Sequence, residues 1–202
     1  MAAKDRWIDE GMTALTESGV AGVTVDGIAA RLGLTKGSFH HHFEGVADYR
    51  GQLLARFESD AGIALEQAMS AEESLTPEAV IVTIPARHPF DRRREAAVRA
   101  WALHDPEAHE TLARVDTARL AALTTLWERV IDDADDASTA AMIPYLVAIG
   151  ASMATPPPSE RALLRVFALL AALVPAVGEA SVVRSGQKTG LPPVTPTTVP
   201  ET

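Results

Sequence analysis

Between Thr35 and His42 the sequence places a threonine, a lysine, a glycine, a serine and three histidines, a set suited to meeting a large anionic surface. Thr35 can cap a helix and leave amide N–H groups and the positive end of the dipole facing a phosphate. Lys36 adds a full charge at the same place. Gly37 has no side chain to block close approach to a groove, and Ser38 can donate or accept at a base edge or a phosphate. The histidines His40, His41 and His42 invite a metal reading. On a helix, however, adjacent residues lie about 100° apart and cannot chelate one ion, so no metal site is expected there.

Such a turn needs an element to brace it from behind. In TVDGIAARLGLTKGSFHHHF, Thr24 to Phe43, the spacing of Val25, Ile28, Ala29 and Leu32 predicts a short helix capped by Thr24. Leu34, Phe39 and Phe43 mark the helix that follows, and the turn around Gly33 joins the two as a helix-turn-helix. Ala29 sits where the two axes approach closely and Gly33 can supply a positive φ, while Ile28, Leu34 and Phe39 are the expected apolar contacts. Ile8, Met12 and Leu15 predict a preceding helix that stops near Ser18-Gly19. Val46, Tyr49, Leu53 and Phe57 stripe a fourth helix, opened around Glu44-Gly45.

The remainder also repeats at helical spacing, which makes the fold class all-α. Helices are expected over Phe90 to His104, Pro106 to about Ile131, Ala137 to about Thr155 and Ser159 to about Glu179, and the last two are apolar nearly all round. Asp105-Pro106, Asp132 to Asp136 and Pro156-Pro157-Pro158 are the expected breaks. Ala79 to Ile84 is β-branched and is read as a buried helical turn or two before Pro85. The Pro- and Thr-rich end, from about Ser181, is expected to be a disordered tail. The organisation is then a DNA-binding-type unit over 1–58, a larger helical domain over 59–180, and a tail over 181–202.

Composition narrows the function classes. Of 202 residues 47% are hydrophobic, enough for a sizeable core, and there is no cysteine, which removes disulfides, thiolate metal sites and thiol catalysis. A net charge of −9 argues against coating nucleic acid through bulk positive charge, so any DNA contact must be local. The charged start MAAKDRWIDEG is no secretory signal, and no apolar run is long enough for a membrane span. A soluble cytoplasmic protein is expected. No G-x-S-x-G, phosphate loop or H-E-x-x-H is present, so neither an enzyme nor a cofactor is expected.

The threonine cap, Val-x-x-Ile-Ala, the turn glycine, Thr-Lys-Gly-Ser and the terminal His-Phe resemble the DNA-binding domain of the TetR/AcrR family of transcriptional regulators. That resemblance implies a homodimer with one recognition helix per subunit, and a C-terminal helical domain for a small molecule that dimerises through its last two long helices. It places Thr24, Thr35, Lys36, Gly37, Ser38, His40, His41 and His42 at the DNA. VRAWALHDPE and VDTARLAAL resemble one subgroup more weakly. The sequence departs from the pattern twice: His40 stands where tyrosine is usual, and the fourth helix opens on Glu44-Gly45-Val46-Ala47-Asp48, without a base. Modest affinity and a shallow salt slope are therefore expected.

Pockets between bundle helices mix aromatic with a few polar groups, which makes Phe90, Trp101, His104, Trp127, Met142 and Tyr145 the expected lining for a small apolar effector. Taken singly, each of these is ordinary core packing. The acidic run Asp132 to Asp136 lacks the spaced ligands of a calcium loop and reads as a solvated break. Two functions remain: a ligand-released DNA-binding regulator, by family a repressor on a near-palindromic operator, or a scaffolding protein of the same fold that has lost DNA recognition.

Overall fold

A computed structural model describes residues 3–71 and 91–185, with side chains for 3–70 and 91–172. Among the described residues there are eight α-helices and no strand. Helix α1 (Ala3–Ser18) buries Trp7, Ile8, Met12 and Leu15 and ends at Gly19, whose φ of 68° suits a residue without Cβ. A single 3₁₀ turn, Val20–Gly22, leads to α2 (Val25–Leu32). Thr24 caps it, accepting from the Gly27 amide at 3.2 Å. At its other end Gly33, φ 64°, takes the left-handed conformation and lets the Leu34 amide reach the Ala29 carbonyl at 2.9 Å. The expected turn is therefore formed by the expected residues.

Helix α3 (Lys36–His40) is shorter than its sequence pattern suggested. It closes at His40 because the Phe39 carbonyl takes the amides of both His42 and Phe43, which draws His41 and His42 into a turn. Helix α4 (Val46–Ala71) then runs unbroken for 26 residues, so the division expected at residue 58 falls inside a helix.

Each later helix opens on a side-chain cap. Asp91 accepts from the Arg94 amide and starts α5 (Arg92–Ala102), and Asp105 accepts from the Ala108 amide and starts α6 (Pro106–Trp127). Asp133 accepts from the Asp135 and Asp136 amides, each at 3.0 Å, and starts α7 (Ala134–Met153). The acidic run is thus a helix start rather than the break expected of it: carboxylates in a first turn favour the dipole. Ser159 caps α8 (Glu160–Ser185), which passes the expected limit at 181. Phe90, the stretch Ala79 to Ile84 and residues 186–202 lie outside the described residues. No helix of the described residues is long and apolar enough to cross a membrane.

The buried side chains form two clusters. The first joins Trp7, Leu15, Ile28, Phe39, Tyr49, Leu53 and Phe57 to Val98 and Trp101 of α5 and to Ala108, Leu112 and Val115 of α6. The helix-turn-helix therefore shares its core with the next two described helices. Its centre is aromatic: Phe39, fully buried, stands edge-on to Trp7 at 5.4 Å and to Tyr49 at 5.3 Å, with Phe43 at 4.9 Å. The Tyr49 hydroxyl donates to the Trp7 carbonyl at 2.5 Å, which pins α4 to α1. The second cluster joins Trp127 and Ile131 to Ala137, Ala140 and Ala141 of α7 and to Phe167 and Ala171 of α8.

Where α6 passes from one cluster to the other it carries Asp116 and Arg119. Arg99 binds Asp116 through two hydrogen bonds, 3.0 and 2.7 Å, and approaches Glu95 at 2.7 Å; Arg119 meets Glu95 at 3.1 Å. Glu95 is only 2% exposed. Burial works against the Arg99 charge, but the Asp116 hydrogen bond and the two nearby carboxylates outweigh it and raise the pKa. Tyr145, reached by Arg99 at 3.5 Å, is pushed up to about 12, first by burial and then by Asp116.

Two stability outcomes follow from these contacts. Phe39→Ala should cost about 3–5 kcal/mol of unfolding free energy in a denaturant titration, the usual loss for emptying a buried phenylalanine site. Glu95→Gln should cost about 3–5 kcal/mol, because two guanidinium groups lose the more deeply buried of their two carboxylate partners. A loss under about 1 kcal/mol for Glu95→Gln, the value typical of surface pairs, would show that water reaches the network.

Candidate nucleic-acid interface

The short helix α3 faces both ways. Phe39 anchors its inner side in the aromatic cluster, while Thr35, Lys36, Gly37, His40 and His41 are exposed and Ser38 and His42 half-buried. Thr35 caps the helix, accepting from the Ser38 amide at 3.3 Å. A Cβ placed on Gly37 would meet only the Thr35 hydroxyl, at an ordinary 3.7 Å. The fold itself therefore does not need a glycine there, and its bareness leaves the outer face of α3 open. Thr24 is exposed at the start of α2 and spends its hydroxyl on the Gly27 amide.

Lys36 is not a bare charge. Its ammonium lies 2.6 Å from an Asp26 carboxylate oxygen, with both side chains about two-thirds exposed, at 68% and 67%. A pair this solvated is worth only about 0–1 kcal/mol, so a phosphate can compete for it. Sequence reasoning missed Asp26; it stands two residues after the Thr24 cap, and only the packing of α2 against α3 brings it to Lys36. At the start of α4, Asp48 takes the Gln52 amide group at 2.8 Å and the Glu44 backbone amide at 2.9 Å. These bonds hold its carboxyl below the usual range, so the α4 start stays negative. Arg31 on α2 is committed to Glu10 at 2.5 Å and Glu17 at 2.8 Å.

The histidines separate as expected of neighbours. His40 meets the Phe39 ring edge-on at 5.3 Å and His42 lies 6.2 Å from Phe43. Among the described residues no group of three or more His, Cys, Asp or Glu could hold a metal ion.

Of the described residues expected to line an effector cavity, the two tryptophans lie in different clusters. Trp101 belongs to the first buried cluster and Trp127 to the second. His104 is exposed in the turn after α5, and Met142 is 44% exposed on α7. Tyr145 sits instead against Arg99, and Phe90 lies outside the described residues. Trp101, on α5, packs beside the first half of α6, whereas Trp127 ends α6 in the second cluster, so the two fill different interiors. The buried network of Glu95, Arg99, Asp116 and Arg119 was missed. Its i, i+4 and i, i+3 spacings are visible in the sequence, but such pairs are most often solvated.

Residues 8–46 match the family model described as bacterial regulatory proteins, tetR family. No curated protein has a matching sequence. A transcriptional regulator from Rhodococcus sp. Rha1 has a similar fold, with a TM-score of 0.72 at 17% identity over 86% of this chain and 96% of that one. A TetR-family member from Streptomyces coelicolor A3 aligns with a TM-score of 0.59 at 18% identity over 84% and 98%. The multidrug binding protein EbrR, complexed with imidazole, gives 0.55 at 18% over 84% and 95%. The helix-turn-helix thus lies inside a segment that matches the tetR-family model, and the all-helical fold of the chain is similar to that of solved transcriptional regulators.

Proposed function

We propose that the protein is a ligand-responsive transcriptional regulator, a repressor, that binds a near-palindromic DNA operator as a homodimer. The observation that carries this reading is the division of α3: an outer face of Thr35, Lys36 and Gly37 open to solvent, fixed from behind by a fully buried Phe39. Lys36, Ser38 and the cap Thr35 position the domain on phosphates, and His40, His41 and His42 extend the contact along α3 and its closing turn. Two such helices would enter successive major grooves ~34 Å apart. The protein acts in the cytoplasm and catalyses no reaction.

A second copy of the chain fits the apolar surface of the last two helices. Met142, Leu146 and Met153 on α7 follow one helical face and are 44%, 55% and 50% exposed, and α8 adds Leu169 at 69%. That face is large for a lone subunit and suits an interface on the order of 2,000 Å².

The effector acts through α4. One end of that helix is tied to the head by the Tyr49–Trp7 hydrogen bond; further along, Glu58 meets Arg114 in two bonds of 2.7 Å and Asp60 meets Arg94 at 3.1 Å. A molecule that shifts α5 and α6 shifts α4 with them and changes the separation of the two α3 helices, and only one separation engages both half-sites. Support for a small effector comes from EbrR, described as a multidrug binding protein and solved with imidazole.

The test is a mobility-shift titration with the full-length protein on the DNA flanking its own gene. Wild type should retard the fragment at low salt, and Lys36→Glu should weaken binding by about tenfold or more through lost phosphate neutralisation. Equal behaviour of the two proteins, or no retarded band, would favour a scaffolding protein with an idle helix-turn-helix. Sedimentation at micromolar concentration should give a dimer, and Leu146→Glu together with Leu169→Glu should give a monomer. A wild-type monomer would defeat the dimer.

A further inference from the structure

Positions 1–50 hold five basic residues: Lys4, Arg6, Arg31, Lys36 and Arg50. Arg31 is bound by Glu10 and Glu17, and Lys36 by Asp26. Arg50 faces Asp105, whose carboxyl is held below its usual range first by the Ala108 amide and in part by the Arg50 charge. Arg50 is half-buried and makes no ion pair among the described residues, whereas Lys4 and Arg6 are exposed. Among the described residues neither is in an ion pair: the Lys4 ammonium lies over the Phe43 ring, 5.5 Å from its centroid, and Arg6 donates to the Leu32 carbonyl at 3.4 Å.

Their placement follows from α1. Trp7 points inward onto Phe39, and on a helix positions 4 and 6 lie on either side of position 7, about 60° and 100° away. Both side chains are exposed, and they bracket α3: Arg6 at the turn that precedes it, Lys4 at Phe43, the residue after its closing turn. Phe43 is followed at once by the acidic stretch of Glu44 and Asp48. A phosphate backbone passing the end of α3 would meet two carboxylates there and, beside them, the Lys4 charge. Lys4 also contributes, after Gln52 and the Glu44 amide, to holding Asp48 ionised, so the two lie within electrostatic reach.

We propose that Lys4, reaching from α1 across the Phe43 ring, is a DNA-phosphate contact that offsets the acidic start of α4 at the far end of α3. The proposal rests on the DNA-binding reading above. The aromatic face steers the ammonium without neutralising it, so its charge stays available, whereas Lys36 must first leave Asp26. Arg6 adds a second unneutralised charge at the near end of α3.

The experiment uses full-length protein and a duplex selected by the wild type from a random-sequence pool, with affinity followed across a salt series. Lys4→Met keeps the apolar stem over Phe43 and removes only the charge. It should lower the slope of log affinity against log salt by about 0.9 per engaged subunit and weaken binding severalfold at low salt. Lys4→Arg should retain the wild-type slope, and a lysine introduced at Ala47 should restore it in the Lys4→Met background. Melting temperature should not move, since Lys4 is exposed. If wild type binds the duplex and Lys4→Met matches it in slope and affinity, Lys4 makes no phosphate contact and this proposal alone falls. If wild type selects no duplex, the DNA-binding reading falls and takes this one with it.

Discussion

The stacking of Phe39 between Trp7, Phe43 and Tyr49 is the constraint on which the remaining geometry depends. A helix of five residues has too few internal hydrogen bonds to persist alone, so α3 owes its existence to this contact. The same rings fix its direction, because an edge-to-face aromatic centre admits few orientations. They also join α3 to α1 and α4, and the Tyr49 hydroxyl on the Trp7 carbonyl turns that packing into a registered joint. Gly11 marks how close the approach is: a Cβ there would overlap the Tyr49 side chain and come within 2.9 Å of Leu53.

Charge is distributed sparingly around this centre. The chain as a whole is at −9, and within the head Arg31, Lys36 and Arg56 are tied to carboxylates. Such an arrangement gives little long-range attraction to a polyanion, so the DNA contact proposed above would depend on a few well-placed groups and on shape. It would also limit unspecific retention on DNA, since the sequence-independent part of binding comes from phosphate neutralisation.

Much of this was legible in the sequence. The Thr24 cap, the Gly33 turn, the buried Ile28 and Phe39 and the open Thr35-Lys36-Gly37 turn follow from local rules, which depend on residues a few positions apart. The length of α3 was not legible, because its end depends on which carbonyl captures the amides of His42 and Phe43. The Asp132 to Asp136 run reads as a break because charge density alone does not tell a cap from a loop; the distinction lies in the Asp133 carboxylate turning onto the Asp135 and Asp136 amides. Where the residues expected to line an effector cavity come to lie is a longer-range matter. Which interior Trp101 or Trp127 enters is decided by the paths of α5 and α6, and no periodicity encodes it. The pairing of Lys36 with Asp26, and the seat of Lys4 over Phe43, are likewise products of tertiary approach.

Helix α6 has one further mechanical property. Its 22 residues form a stiff rod about 33 Å long whose first half is embedded in one apolar interior and whose last turn is embedded in another. Midway, at Asp116 and Arg119, it rests on Glu95 and Arg99. Were the rod to tilt about this point, its two ends would move in opposite directions, as those of a seesaw do.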